Sequence, residues 1–478
     1  MQKPENIGIT IKKEENFSEW YVEVVQKAEL ADYSAVKGCM VIRPNAYSIW
    51  ENIQSYFDKR IKELKVKNAY FPLFIPESFF KREAEHASGF KPEVAWIANT
   101  EEEGERLAVR PTSETVIYDS YSTWIRSHRD LPLRINQWCN IVRWETKTTR
   151  LFLRTREFLW QEGHCVYETK EECDKETLMY LEEYKKLCED ILAIPVLVGK
   201  KTDNEKFAGA LYTTSIEAIM PDGKTLQMGT SHNLGQGFAK SFNIKFLGKD
   251  GKEHMPWQNS WGVSTRLIGA LIMTHGDDKG MVVPPNLASI KAVIIPILFE
   301  KTEEVVLKKA KEIEKKLKDY SVILDDRKEY TPGWKFHQYE LEGIPLRIEI
   351  GPKDLDKDQV IIARRDTSEK KQVKIKDVEK EVKILLEEIQ QNLFNKAKKS
   401  FESKIVYTKS LQELKKLIDE KKVVKVSLCG SKKCEEELTN SVEALKSLNM
   451  PFNQSNIKDN CISCSKKASV LCYFGKSY

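Results

Sequence analysis

Residues 138–164 read WCNIVRWETKTTRLFLRTREFLWQEGH, and the fold turns on how this stretch pairs. Four arginines, three glutamates and a histidine sit among apolar and aromatic runs, which is costly unless the charges meet a partner. Residues 140–145 and 152–158 alternate and favour β-branched or aromatic side chains, so they are expected to be two strands of a hairpin, joined by the polar loop 146–150. Period-two alternation then sets Arg143 and Glu145 on one face of the first strand, and Arg154 and Arg156 on one face of the second. Such a cationic face suits an anion gripped from several sides, and guanidinium geometry suits phosphate. The competing reading is a solvated sheet face with surface ion pairs.

Outward from this stretch, 478 residues allow roughly two to four domains. Apolar content of 41% and charged content of 31% describe a soluble globular chain. No apolar run approaches the roughly 20 residues that span a bilayer. The opening MQKPENIGITIKKEEN carries no signal-peptide pattern, so a cytoplasmic location is expected. With 77 basic against 72 acidic residues the net charge is only +5, so a nucleic-acid partner would be met by local patches. Cys39, Cys139, Cys165, Cys173 and Cys188 are scattered as in a reducing compartment, whereas the other five cysteines lie beyond residue 428.

Along the chain, an amphipathic helix is expected over 17–30, a strand over 39–43, and then, after Pro44, a long helix. Its apolar stripe, Ile49, Trp50, Ile53, Phe57, Ile61 and Leu64, is that of an ordinary core helix, and 69–75 reads as the next strand. Residues 81–105 are polar and irregular, as in a mobile loop over a site. A strand ending near Arg110 delivers Thr112, Ser113 and Glu114 to the start of a helix over 115–128, where helix capping by Thr112 or Ser113 is the simplest role. A charged helix over 170–192 and a strand over 195–199 follow. An antiparallel pair over 207–213 and 228–235 turns at 221–223 and carries His232, which is most simply a hydrogen-bonded core histidine. From Trp257 a strand runs into an apolar helix whose first turn holds Arg266, a charge that needs a partner such as phosphate. Residues 283–286 read as a linker, after which alternating strands and helices form an α/β unit of about 100 residues. A helix over 378–401 leads to the last unit.

Three signals coincide in order: Pro44 between a strand and a long helix, the Arg-x-Glu of Arg143 and Glu145, and the Gly-x-x-x-Arg helix entry at Gly262 and Arg266. Together they resemble motifs 1, 2 and 3 of the class II aminoacyl-tRNA synthetases. Arg110-Pro-Thr-Ser-Glu114, the string over 152–164, Glu205-Lys-Phe-Ala-Gly209 and the terminal Phe474-Gly-Lys-Ser-Tyr478 are narrower, and resemble prolyl-tRNA synthetases of the archaeal/eukaryotic type. This resemblance covers essentially the whole chain.

The resemblance implies an α+β architecture: a six- or seven-stranded antiparallel sheet flanked by helices over 1–285, an α/β anticodon-binding domain over 286–388, and a small zinc-binding domain over 389–478. It implies activation of L-proline by ATP, taken with Mg2+, to prolyl-adenylate and pyrophosphate, followed by transfer to the 3′-terminal adenosine of tRNA(Pro). By similarity, Arg143 touches the substrate carboxylate and the α-phosphate, Glu145 reads the adenine amino group, and Arg154 and Arg266 hold the outer phosphates. Gln227, Thr230 and Ser264 are further ATP-contacting positions. Thr112 and Glu114 receive the imino group of proline, while Trp160, Phe207 and His232 wall its ring, so His232 becomes a pocket residue rather than a proton shuttle. Anticodon candidates are Glu340, Arg347, Glu349 and Lys353. Motif 1 implies a homodimer through the Ile49–Leu64 stripe, and Tyr478 is implied to return toward the catalytic domain.

Between His164 and Trp257 lie only about 90 residues, too few for the editing insertion of bacterial-type relatives, so alanine is expected to be activated and not cleared in cis. Cys429-x4-Cys434 and Cys461-x2-Cys464 supply four thiolates spaced for tetrahedral, structural Zn2+, with Cys472 left over. A non-catalytic tRNA-binding paralogue or scaffold is the main rival. The joint presence of Thr112, Glu114, Arg143, Glu145, Arg154 and Arg266 argues against it, because a pure binder does not need two aligned substrate sites.

Overall fold

The computed structural model describes residues 8–84, 93–98, 100, 104–144, 149–455 and 457–478. Its centre is an antiparallel sheet of six long strands, to which two short strands add one at each edge. In chain order the first seven strands are β1 (Lys67–Asn68), β2 (Leu133–Val142), β3 (Glu157–Tyr167), β4 (Leu197–Lys200), β5 (Tyr212–Ile219), β6 (Thr225–Gly235) and β7 (Trp257–Ser264). In space the order is β4-β5-β6-β7-β3-β2-β1, with β1 parallel to β2. The eighth strand, Met450–Pro451, comes from the far end of the chain and pairs with β4. The sheet is therefore two short edge strands larger than a six-stranded core, and the expected strand over 69–75 is instead β1 plus a separate strand, Phe74–Pro76.

The hairpin expected in 138–164 exists, but its strands lie further out than expected. Pairing runs from Leu133↔Val166 to Val142↔Glu157, so residues 143–156 form the connection and Arg154 and Arg156 lie on it, not on a strand face. Within it Arg150 and Arg154 exchange backbone hydrogen bonds of 2.7 and 2.9 Å around Phe152, whose φ is +60°. Local alternation over 152–158 thus comes from a tight turn, a pattern that periodicity alone does not separate from a strand. Glu145 lies outside the described residues.

One face of the sheet is dry. Helix α1 (Pro44–Glu63) buries Ile49, Trp50, Ile53, Phe57 and Ile61 there, and helix α2 (Lys170–Lys186) buries Tyr180 and Tyr184. Trp261 of β7 stacks on Tyr180 with ring centroids 4.0 Å apart, and Phe57 stacks on Tyr184 at 5.0 Å. The stripe expected to meet a second subunit is thus spent on the chain's own core; the side chains exposed nearby are Tyr47 of α1 and Tyr33, Val36 and Val41 around the preceding hairpin. The segment between β3 and β7 is used up by α2, β4, β5, β6, the short helix Gly237–Ser241 and a small hairpin, all of them packed on this sheet or beside it.

Helix α3 (Arg266–His275) leaves the sheet, and the expected linker after it is not a free tether. Val283 is buried and its N–H donates to the Gly343 carbonyl at 3.1 Å, while Arg365 forks onto Asp277. The α/β unit has five strands in the order Val322–Leu324, Ala292–Pro296, Leu346–Ile350, Gln359–Arg364 and Lys370–Lys374, the last not anticipated. Its core includes Ile389 and Leu393, because the helix Val378–Lys404 runs unbroken past residue 388. The last unit is a four-stranded sheet with helices Leu411–Asp419 and Lys432–Asn440. No described helix is long and apolar enough to cross a membrane.

Gly163 shows how tightly the dry face is filled, since a Cβ there would stand 2.0 Å from the Trp261 ring. Gly163→Ala is expected to cost at least about 1–3 kcal/mol of unfolding free energy through displacement of the Tyr180–Trp261 stack, measured as a lower midpoint in urea.

Candidate active site

The other face of the sheet forms the floor of a cavity of about 590 Å3. Alternation along β3 turns Phe158, Trp160, Glu162 and His164 toward it, and the register of β3 with β7 sets Trp160 opposite Ser264, Glu162 opposite Gly262 and His164 opposite Ser260. Pairing with β6 and β5 continues two rows across the floor, Ser260–His232–Thr213 and Gly262–Thr230–Ser215. A register shift then sets Ile216 opposite Gly229 but Glu217 opposite Gln227. This bulge reverses the alternation of β6, so Gln227 joins Thr230 and His232 in lining the cavity.

Thr112, Glu114, Arg143, Arg154, Trp160, Phe207, Gln227, Thr230, His232, Ser264 and Arg266 all line this one cavity. These are all the expected substrate residues except Glu145. Glu93, from the described part of the 81–105 segment, lines it too, and its carbonyl accepts from the Trp144 N–H at 2.7 Å. Whether that segment moves concerns residues 85–92, 99 and 101–103, which lie outside those described.

At one end sits a buried polar network that the sequence reading did not assign. Ser113 donates to Glu162, Gln137 donates to the same carboxylate at 3.0 Å, and His164 Nε2 lies 3.0 Å from its other oxygen. Tyr118 OH is 3.0 Å from His164 Nδ1, so the imidazole bridges Tyr118 and the Glu162 carboxylate. Thr112 donates to Glu114. Neither Thr112 nor Ser113 makes the helix cap expected of it: the cap position of helix Glu114–Trp124 is Ser113, and its hydroxyl is used elsewhere. The i, i+2, i+4 spacing of Trp160, Glu162 and His164 was the available signal for these two residues.

The two carboxylates are driven in opposite directions. Burial raises Glu114 above the ordinary carboxylate value, with His164 opposing and the neighbouring Glu162 adding to the rise. Glu162 is as deeply buried, yet hydrogen bonds from His164, Ser113 and Gln137 outweigh the desolvation and hold it below that value. Glu114 is thus the group that gains from an incoming cation. His232 is lowered to about 3 by burial, with the charges of His164 and Lys201 adding to the fall, and its ring lies 4.9 Å from that of Phe207. Thr213 Oγ1 accepts the Phe207 N–H at 2.9 Å and lies 2.9 Å from His232 Nδ1, an arrangement satisfied when Thr213 donates to Nδ1. A neutral imidazole whose Nδ1 lone pair is engaged keeps its Nε2 proton and is not poised to take up another.

The cations gather toward the other end. Arg143 donates to the Pro111 carbonyl at 3.2 Å and lies over the rings of Phe158 and Trp160, each 5.7 Å away. Arg266, at the start of α3, donates to the carbonyls of Leu153 and Gln227 at 3.3 and 3.4 Å, which fix its stem while it faces the cavity. Arg110, by contrast, is buried and spends its guanidinium on Asn140 and the Phe71 carbonyl. It is structural.

Two outlying groups were also expected. The Sγ atoms of Cys429, Cys434, Cys461 and Cys464 lie within 4.8 Å of one another, with Cys429 3.6 Å from Cys434 and 3.7 Å from Cys464. A tetrahedral metal with sulfur at about 2.3 Å has edges of about 3.8 Å, so the four thiols are arranged to fit one ion. In the α/β unit, Arg347 and Glu349 are buried and paired at 3.0 Å, Glu340 lies 3.5 Å from Arg347, and Lys370 closes the group at 2.9 Å from Glu349. Lys353 stands apart and exposed.

Three family models match the chain: tRNA synthetase class II core domain (G, H, P, S and T) over residues 93–275, anticodon binding domain over 291–385, and prolyl-tRNA synthetase, C-terminal, over 411–478. Among known proteins, the chain is 49% identical over 477 residues to proline–tRNA ligase 2 of Bacillus thuringiensis (strain Al Hakam), covering 99% of both chains. It is 50% identical over 469 residues to the proline–tRNA ligases of Alkaliphilus oremlandii (strain OhILAs) and Clostridium botulinum (strain Loch Maree / Type A3), covering 97% of each chain.

Proposed function

The chain belongs to the class II prolyl-tRNA synthetases and is a proline–tRNA ligase, and on that premise we propose how its own residues divide the work. The observation that carries the proposal is that one cavity has a carboxylate and aromatic end and a cationic end. Proline enters the first. Glu114 and Thr112 receive its secondary ammonium, and Trp160, Phe207 and His232 enclose the ring. ATP, taken as its Mg2+ complex, occupies the second, with Gln227, Thr230 and Ser264 along the floor and Arg154 and Arg266 on the outer phosphates. Glu145 reads the adenine amino group.

Arg143 lies between the two substrates and meets both the proline carboxylate and the α-phosphate. The carboxylate oxygen attacks the α-phosphorus as the bond to pyrophosphate breaks, and the electron pair leaves on pyrophosphate. No protein nucleophile is required. Catalysis rests on alignment and on cations placed where negative charge is transferred. The adenylate then passes its prolyl group to the 3′-terminal adenosine of tRNA(Pro).

We further propose the division 1–285, 286–388 and 389–478, the helix Val378–Lys404 being shared by the last two units, a cytoplasmic location, and a homodimer. Because the Ile49–Ile61 stripe is internal, the two-fold contact falls to the outer face of α1 and the hairpin bearing Tyr33, Val36 and Val41. On the tRNA side we propose that Lys353 and Glu340 touch the anticodon and that Arg347, ion-paired with Glu340 and Glu349, braces the surface; the exposure of Lys353 and the burial of Arg347 and Glu349 support this reading. Cys429, Cys434, Cys461 and Cys464 would hold Zn2+, whose closed four-sulfur shell supplies cross-linking and no open coordination position.

Proline is expected to drive ATP–pyrophosphate exchange, alanine to do so weakly, and threonine and serine not to; Arg143→Ala should abolish exchange while tRNA binding persists. The pH dependence has a definite sign. Glu114 must be ionised to take the ammonium, and its raised pKa means that it protonates before ordinary carboxyls as pH falls. The KM for proline should therefore begin to rise at a pH above the usual carboxylate range, and Glu114→Gln should raise the KM and flatten this dependence. Metal analysis should find one zinc per chain, and Cys461→Ser should lose it together with thermal stability; full metal content and an unchanged melting temperature would refute the assignment.

A further inference from the structure

A second cavity of about 230 Å3 opens beside the first and shares with it Arg143, Arg154, Phe158, Glu205, Gln227, Ser264 and Arg266. The shared cations are those assigned above to the phosphates, so the second cavity continues from the phosphate end and away from the proline end. Two further cations line only this chamber. Lys201 follows β4 and is paired with buried Glu217 at 2.7 Å. Lys446 comes from the C-terminal unit, is exposed, and makes no ion pair among the described residues. Five cationic side chains and two carboxylate side chains, Glu205 and Glu217, line this chamber together with Tyr478, whose main chain bears the terminal carboxylate.

Lys446 is set there by contacts that reach back to the four-cysteine group. It lies in the strand Leu445–Ser447, and the adjacent Ser447 donates to Glu435. Glu435 is buried, also accepts from Thr202 Oγ1 at 2.6 Å, and follows Cys434 directly on the helix Lys432–Asn440. Beyond Lys446, Asn449 Nδ2 donates to the Ser215 carbonyl at 3.3 Å, and Met450 and Pro451 pair with Lys200 and Gly199 of β4. A Cβ on Gly199 would stand 2.3 Å from the Met450 carbonyl oxygen, so this approach requires glycine. The chain just after Lys446 is thus tied to the catalytic unit through Ser447, Asn449 and Met450–Pro451, although the strand of Lys446 belongs to another unit.

We propose that this chamber receives inorganic pyrophosphate as it leaves, and that Lys446 is a pyrophosphate-binding residue supplied by the C-terminal unit. The inference rests on the orientation of ATP given above. A multivalent anion separating from the α-phosphorus carries the electron pair of the broken bond, and of the two cations that line this chamber outside the ATP-contacting set, Lys201 is paired with Glu217 and Lys446 makes no ion pair among the described residues. Its four-carbon stem permits a contact that forms on departure and is released afterwards.

The experiment is steady-state ATP–pyrophosphate exchange with the full-length enzyme, varying pyrophosphate, ATP and proline separately in Lys446→Ala, Lys446→Arg and Arg266→Ala. Lys446→Ala is expected to raise the KM for pyrophosphate about tenfold, the effect of one charge-assisted contact, with the KM for proline and the melting temperature unchanged. Lys446→Arg should restore most of the loss. If Lys446→Ala leaves the pyrophosphate KM within twofold of the parent while Arg266→Ala raises it, the inference is overturned and the ATP orientation stands. If neither variant changes the constants for pyrophosphate or ATP, the orientation falls as well.

Discussion

The site depends first on the register between Glu157–Tyr167 and Trp257–Ser264. With Trp160 opposite Ser264 and His164 opposite Ser260, every second side chain of both strands faces the cavity and the intervening ones face the dry side. A slip of one residue would exchange the two sets. Trp261 would then project into the substrate cavity and Glu162 into a core of stacked aromatic rings. The register is pinned where the dry side is fullest, because the Tyr180–Trp261 stack leaves no room for a side chain at position 163. Packing on one face thereby fixes chemistry on the other. The bulge between Gly229 and Gln227 breaks the alternation of β6, and it delivers a polar side chain to the cationic half.

Electrostatics then divides a continuous floor into two compartments. Glu162 and Glu114 are both buried, and what separates them is the number of donors each has. Glu162 has four side-chain partners, Ser113, Gln137, His164 and Cys139, whereas Glu114 has Thr112 and its own helix start. A buried carboxylate with few donors next to one with many makes a receptor for a single positive charge. At the other end, the guanidinium groups of Arg143 and Arg266 donate to main-chain carbonyls and line the cavity, which makes this end cationic. An amino acid with a positive nitrogen and a negative carboxylate can therefore bind one way round, with its carboxylate toward the cations.

Much of this was legible in the sequence. The central hairpin, the α/β unit and the two cysteine pairs follow from periodicity, turn residues and spacing, which are local quantities, whereas the antiparallel sheet as a whole was implied by the family resemblance. The motif residues come together as expected because strings such as Arg110–Glu114 and 152–164 carry their own placement. Errors arose where tertiary context decides. Residues 152–156 alternate like a strand but close a turn around Phe152; Ser113 looks like a cap but is drawn to Glu162, a partner 49 residues away. The α1 stripe looks the same whether it faces another subunit or its own sheet. Arg347 and Glu349 look like solvated strand charges until the covering helix brings Glu340 beside them.

The C-terminal unit shows most clearly what spacing cannot convey. Its four cysteines announce a cross-link but not what the cross-link is for. Cys434 sits at one end of a short chain of contacts that runs through Glu435 to Thr202 and Ser447, and Asn449 and the strand Met450–Pro451 complete the attachment to β4. At the very end, the Tyr478 N–H donates to the Thr225 carbonyl at 3.1 Å and its hydroxyl to Asp222 at 2.7 Å, while Tyr478 and Ser477 line the second cavity. The small unit is thus fastened at both edges of a chamber that it helps to enclose. Loosening the four-sulfur group would free the helix bearing Glu435 and, with it, the strand that carries Lys446. A metal held by those four cysteines would thus act on the cationic end of the site from a distance, through the residues that follow Cys434.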